Sequence, residues 1–365
     1  MPSSKRVSLL DRSALQSPLR IVAIGGGTGL STLLSGLKKH VLGAQELPAP
    51  GRPNIDITAV VTVTDDGGSS GRLRRDFDIL PPGDIRNCMT ALSEDTDLLS
   101  HLFRYRFASG RGLKGHSFGN LFLTAMHQIT GDFAQAVKLS SEILAIRGRI
   151  YPATSANVSL EATLEDDTTV RGESKISKSR QPIRSICLRP ADCEPLPETL
   201  EAIKKADLIT LGPGSLYTSV IPNLLVNGIA EAIEKSPALK VYFVNLMWQP
   251  GETINLAASH HVLALNRHAG RNIIDCVVLN SQSIPQDLRK RYARAHVKPV
   301  ENDFKVLADL GIKVVTADLV ENTEITKRVR HSSASLAEIV VDLASRSRAY
   351  QVRKDTLAKK PKKLK

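Results

Sequence analysis

Cysteine is scarce in this chain: Cys88, Cys187, Cys193 and Cys276 are the four among 365 residues. No two stand at the CxxC spacing of a zinc site or redox pair, so neither is expected, and a reduced cytoplasm is the compartment that fits. A long apolar run at the start is also lacking. Met1 to Arg20 mixes Ser, Lys, Arg and Asp with a few Leu, which excludes a secretory or membrane-spanning signal there and reads as a loose leader. Three catalytic signatures are missing as well: a G-x-S-x-G elbow, an H-E-x-x-H zinc helix and a Walker A lysine. The histidines are scattered, and the His260-His261 pair has no third ligand at helical spacing. Hydrolase and zinc-enzyme readings therefore rank low.

What the chain has is an average globular make-up, 42% hydrophobic and 24% charged. That excludes disorder and collagen-like repeats, and the length allows one large domain or two moderate ones. The net charge of +12 points at first to nucleic acid, since clustered Lys and Arg release counterions from phosphate backbones. Its distribution points elsewhere. Nine Lys or Arg against the single Asp355 lie from Arg346 to Lys365, a net +8 that leaves +4 for the rest of the chain. Residues 344–365 are expected as a basic, flexible tail, and nucleic acid is not an expected partner.

Along the body, Ile21 to Ile24 is an apolar run that breaks into Gly25-Gly26-Gly27-Thr28-Gly29, after which Leu30, Leu33, Leu34 and Leu37 recur at helical spacing. A Pro-rich connector from Leu42 to Asn54 leads to a β-branched strand, Ile57 to Val63, which runs into Thr64-Asp65-Asp66-Gly67-Gly68-Ser69-Ser70-Gly71. From Asp84 to Leu144 the pattern is mainly helical. Val158, Leu160, Ala162 and Leu164 then alternate with polar residues, and Val170 resumes beyond Glu165-Asp166-Asp167-Thr168, which predicts a β-hairpin near 158–176. Apolar strands return at Leu208–Leu211, Val241–Leu246, Ile273–Leu279 and Ile312–Val315, separated by helical stretches. The fold class is α/β: a mostly parallel sheet flanked by helices, with ligands bound beyond the carboxyl ends of its strands.

Those ends carry the chemistry. Glycine at Gly25 to Gly29, between a strand and a helix, lets backbone N–H groups approach a phosphate at the positive end of the helix, so a diphosphate is the natural guest. The dinucleotide fingerprint fails where Leu30 stands, which disfavours redox chemistry. Gly212-Pro213-Gly214-Ser215 repeats the arrangement after Leu211, and Ser215, Tyr217, Thr218 and Ser219 add hydroxyls that either bind or cap. One of Asp65 and Asp66, beside Gly67, either touches a ribose, holds a magnesium ion or makes an Asx-type turn. Arg72, Arg74 and Arg75 are available to phosphate, and Asp84 is expected to cap a helix. His116, Ser117 and Asn120 fall near another helix start, and Glu252 in Gln249-Pro250-Gly251-Glu252-Thr253 is a candidate acid.

Taken in order, GGGTGLS from Gly25, TDDGGSSGRLRR from Thr64, LPPGDIRNC from Leu80, GHSFGN from Gly115, LGPGSLYTS from Leu211 and QPGET from Gln249 resemble the CofD-like superfamily, most closely its YvcK branch. The resemblance spans about Ile21 to Leu343 and implies a Rossmann-like fold for residues 21–343. It adds Asn87, Asn120 and Arg330 to the nucleotide-binding set. For the YvcK branch it implies binding of a UDP-activated sugar such as UDP-N-acetylglucosamine, a gluconeogenesis-factor role in growth on gluconeogenic carbon, and a part in cell shape and cell-wall morphogenesis. A protein partner in cell-wall or central metabolism would read the bound state, and a homo-oligomer is left open. The CofD branch implies the alternative: magnesium-dependent transfer of a phospholactyl-type group from a guanylyl-activated donor to a deazaflavin alcohol, with the metal at Asp65 or Asp66. The chain departs from the family at Trp248, His260 and Ser332, which bears on the sugar. With no readable nucleophile or acid/base pair, a non-enzymatic binder is the first expectation.

Overall fold

Ile21, Val22, Ala23 and Ile24 are each at most 2% exposed, because the strand that holds them is covered on both faces. The computed structural model describes residues 17–42, 53–94, 98–179, 181–321 and 328–358. Its strands are β1 (Leu19–Gly25), β2 (Ile55–Val61), β3 (Arg149–Pro152), β4 (Ser159–Leu164), β5 (Thr169–Arg171), β6 (Ile183–Arg189), β7 (Leu208–Leu211), β8 (Leu239–Phe243), β9 (Cys276–Asn280) and β10 (Lys313–Ala317). Seven form one parallel sheet in the order β10-β9-β8-β7-β1-β2-β3, the Rossmann-like α/β layering expected. Ile24 pairs with Val60 on one side and Leu211 on the other. From β1 the chain runs outward through β2 to β3. It later returns to lay β7 on the free edge of β1 and continues the other way, so the order reverses between β1 and β7. A crevice opens beyond the carboxyl ends at such a reversal.

The helix Gly27–Leu37 forms because Leu30, Leu33, Leu34 and Leu37 share one face, and all four are fully buried. Each contributes about 1.5–3 kcal/mol relative to exposure. Helices Gly83–Leu92 and Ser333–Ala358 pack against it. Among the described residues no single helix is long and apolar enough to cross a membrane.

Three expectations change. The hairpin near 158–176 is present as β4 and β5, but β6 joins β4 to make a three-stranded antiparallel sheet. The edge strand β3 carried no readable signal, being four residues long with Arg149 exposed. The segment 344–365 is not a flexible tail as far as it is described, since the helix Ser333–Ala358 runs through it. Leu336, Ala337, Val340 and Ala344 bury one face of that helix, and Arg348, 6% exposed, turns inward to pair with Asp207. Residues 1–16 of the expected leader, 43–52 of the connector and 359–365 of the tail lie outside the described residues.

Candidate functional site

At the reversal of strand order, the loop after β1 meets the loop after β7. Gly27 has φ +61°, in the left-handed region that favours glycine, and its helix carries no acidic residue in the first turn. Gly29 is tied to glycine by contact: a Cβ there would stand 2.3 Å from the Pro213 carbonyl oxygen and 2.8 Å from the Gly214 nitrogen. The two glycine loops are thus pressed together backbone to backbone. They border a cleft of about 480 Å³ whose other walls include Glu173, Trp248, Tyr292, Arg330 and His331.

Carboxylates gather on one flank. Asp84 accepts the Gly27 N–H and an Asn87 side-chain hydrogen bond. The N-cap of its helix is Pro82, with no side-chain cap, so the expected capping role is corrected: the side chain reaches across to the glycine loop. Burial, then Asp65 nearby, pushes the Asp84 carboxyl up to about 6 against the pull of the Gly27 N–H and Arg86. Burial followed by Asp65, Asp84, Glu252 and Asp66 raises Glu173 well above the usual carboxylate range.

A pH dependence follows from this placement. Below about pH 6 Asp84 is neutral and no longer repels an anion at the Gly27 end of the helix. The affinity for a diphosphate esterified at both ends, whose charge stays fixed over this range, should therefore rise as pH falls from 7.5 to 5. Asp84→Asn should bind more tightly at pH 7.5, on the order of tenfold or about 1.4 kcal/mol, and flatten the slope, with Glu173, raised in the same cleft, keeping the rest; this is well under the ~4 kcal/mol of two charges 4 Å apart at an effective dielectric of 20. Titration calorimetry at both pH values checks it, and an unchanged slope in the variant would refute the role of Asp84.

Glu252 is buried and accepts from the Tyr217 N–H (3.0 Å), the Thr218 N–H (3.2 Å) and the Thr218 hydroxyl (2.9 Å). It holds the first turn of the π-helix Leu216–Val220. Gln249 reaches from the same loop to Ser215 Oγ at 3.0 Å, and Asn245 donates to Gln249 Oε1 at 2.8 Å. The loop after β8 therefore fixes the loop after β7.

Of the residues singled out beforehand, Gly26, Gly27, Thr28, Gly29, Pro213, Gly214, Ser215, Ser219, Gln249 and Arg330 line this cleft. Gly25 closes β1, its carbonyl accepting from Thr62 N–H and Asn223, and Gly212 donates to the Ile24 carbonyl. Tyr217 and Thr218 are buried against Glu252 rather than facing the cleft, and Glu252 is a brace instead of the candidate acid. Asp65 accepts from the Gly67 N–H at 2.8 Å, an Asx turn, while Asp66 accepts from the Ser174 N–H at 2.8 Å and ties the small antiparallel sheet to the main one. Among the described residues no three His, Cys, Asp or Glu side chains converge as a metal cage. Asn120 is buried behind the cleft, donating to Ser69 Oγ, which also contacts His116 Nδ1 at 3.0 Å. Its backbone N–H is capped by Ser117, the capping alternative for that loop. Asn87 lines an adjoining hollow. Trp248, singled out as a departure that bears on the sugar, and His331, beside Arg330, also stand in the cleft wall; reading the sequence missed Glu173 and Tyr292. No local pattern marks them, since each comes from a different segment.

The family described as 2-phospho-L-lactate transferase CofD matches residues 21–320. A Bacillus subtilis (strain 168) protein named gluconeogenesis factor is 47% identical over 324 residues, 89% of this chain and 98% of the relative. The gluconeogenesis factor of Halalkalibacterium halodurans is 46% identical over 323 residues, 88% of this chain and 95% of the relative. Among solved structures, a crystal structure of a Bacillus halodurans protein superposes with a TM-score of 0.82 at 45% identity, covering 89% of this chain and 100% of that one. The opposed glycine loops sit inside the matched span, and the chain belongs to the CofD family, on its gluconeogenesis-factor branch.

Proposed function

We propose that this protein binds a UDP-activated sugar in the cleft between the two glycine loops and acts by occupancy rather than turnover. The observation that carries the reading is the contact of Gly29 with Pro213 and Gly214, which sets two strand-to-helix loops around one cleft at the reversal of strand order. Closure around the ligand changes a surface that a protein partner in cell-wall or central metabolism reads. The relatives' name, gluconeogenesis factor, supports a role in growth on gluconeogenic carbon. Cell shape, cell-wall morphogenesis and a cytoplasmic location are part of the same proposal.

Titration calorimetry with UDP-N-acetylglucosamine, with and without magnesium and with GTP and NAD for comparison, tests it. Preferential binding of the UDP-sugar without its consumption is the expected result. A second reading, a magnesium-dependent transferase of a phospholactyl-type group, is favoured by the carboxylates beside the Gly27 loop and by the family's description. A protein-only cage does not fit these residues. Magnesium shared between one carboxylate and the phosphates of a nucleotide needs less, and Asp65, the charge that acts most strongly on both Asp84 and Glu173, would hold it. Bound there, the ion would neutralise the charge of a leaving diphosphate. Magnesium-dependent binding of a guanylyl nucleotide, with no UDP-sugar binding, would move the assignment to this reading.

A further inference from the structure

The cleft does not end at the glycine loops. Beyond the carboxyl ends of β8 and β9 lies a hollow of about 240 Å³, and Asn245 and Leu246 line both it and the cleft. On the other side, a hollow of about 300 Å³ lies against the helix Gly27–Leu37, sharing Thr32, Arg330 and His331 with the cleft. The chemistry of the two differs. The first has apolar walls from Val244, Ile284 and Val300, with the carboxamides of Asn245 and Asn302 among them. Each amide spends a nitrogen inside the protein, on Gln249 Oε1 at 2.8 Å and on the Asn280 carbonyl at 3.0 Å. The amide orientation is thereby set, and the carbonyl oxygen is the acceptor left for a ligand N–H.

The second hollow has little apolar wall. Ser31, Thr32 and Ser35 face Asn87 and Thr90 of the helix Gly83–Leu92, with Arg104 at one side. Ser31 and Thr32 donate their hydroxyl protons to the Thr28 carbonyl, which leaves their oxygens as acceptors. A nucleobase has two apolar faces and an edge of N–H and C=O groups, which matches the first hollow. A sugar presents hydroxyls all round, which matches the second.

Resting on the UDP-sugar reading above, we infer that the three spaces are one groove: base in the β8–β9 hollow, diphosphate at the glycine loops, sugar against the hydroxyl face of the helix Gly27–Leu37. The spacing agrees. The β8–β9 mouth lies two strand spacings from the reversal between β7 and β1, roughly 10 Å, the reach of a nucleoside from base to phosphate.

The test fills each end separately and titrates UDP and UDP-N-acetylglucosamine by calorimetry. Ser283, exposed at the rim of the β8–β9 hollow, and Ser31, partly exposed on the helix, both have room for a larger side chain toward solvent. Ser283→Trp should weaken both ligands at least tenfold and keep their ratio. Ser31→Trp should leave UDP within twofold and bring UDP-N-acetylglucosamine down to the affinity of UDP, and Arg104→Ala, from another element of the same hollow, should move the ratio the same way. Melting curves confirm that the variants are folded. The opposite pattern, equal effects of both fillings, or no effect overturns the placement of base and sugar. A wild-type protein that takes neither ligand overturns the UDP-sugar reading itself, and with it this one, before any variant is made.

Discussion

Gly29→Ala is expected to lower affinity for the nucleotide ligand at least a hundredfold, about 2.7 kcal/mol. The new Cβ would meet backbone, not a flexible side chain: the Pro213 carbonyl oxygen at 2.3 Å, its carbon at 2.6 Å and the Gly214 nitrogen at 2.8 Å. Real Cβ atoms do not approach so closely, so the two loops must part. Overpacking of this kind costs about 1–3 kcal/mol in stability, and the displaced N–H groups no longer converge on one diphosphate. Gly27→Ala is the comparison. Its Cβ would lie 3.6 Å from Ser219 Oγ, an ordinary contact, and the cost is the left-handed φ of +61°, roughly 1–2 kcal/mol. Calorimetry and thermal melts of both variants separate loop displacement from backbone strain. Full affinity in a folded Gly29→Ala protein would remove the paired loops from the binding site.

Arg348→Ala should destabilise the fold by about 3 kcal/mol, the low end of what breaking a buried ion pair costs. Arg348 and Asp207 are 6% and 9% exposed, and the guanidinium donates to both carboxylate oxygens, at 3.1 Å to Oδ1 and 2.5 Å to Oδ2. It also bonds the Ser17 and Pro18 carbonyls, so one side chain pins the C-terminal helix to the start of β1 and β7. Half-exposed Arg20 still faces Asp207 at 3.3 Å, which keeps the loss from the upper end of the range. Burial pushes the Asp207 carboxyl up, but Arg348 and Arg20 together hold it below its ordinary value. A depressed carboxylate stabilises the fold above its unfolded pKa, and that contribution is lost as pH falls through the folded value. The variant should therefore show a weaker fall in stability on acidification. Denaturant melts at pH 7 and at about pH 2.5, below the ordinary carboxylate value, read both effects. Truncation after Ala349, which keeps Arg348, should leave ligand affinity unchanged; a large loss would mean that the basic end of the chain takes part in binding.

Legibility in the sequence followed the range of the interaction. β1, β2 and β7 to β9 were readable because a strand covered on both faces needs an unbroken apolar run, and the edge strand β10 was readable from its own run Ile312–Val315, with ends off by a few residues. β3 and β6 were not, since edge and half-exposed strands carry mixed residues whose pairing is decided elsewhere in the chain. Asp84 shows the same limit inside the site. Its position at a helix start is a capping pattern, and nothing local tells that its carboxyl crosses to Gly27. Tyr217 and Thr218 looked like donors on a binding loop until Glu252, 34 positions on from Thr218, took their N–H groups.

By itself the sequence determined the layered α/β class, six of the seven strands of its main sheet and the glycine loops after β1 and β7, because burial and backbone freedom are written in neighbouring residues. The tertiary structure alone decided which loops oppose one another, which carboxylates face the cleft and where the charged end of the chain lies. Arg348 reads as one more cation in a basic run, and only the fold brings it against Asp207, 141 positions away. Such pairings depend on the path of the whole chain, and no periodicity or spacing within one segment encodes them.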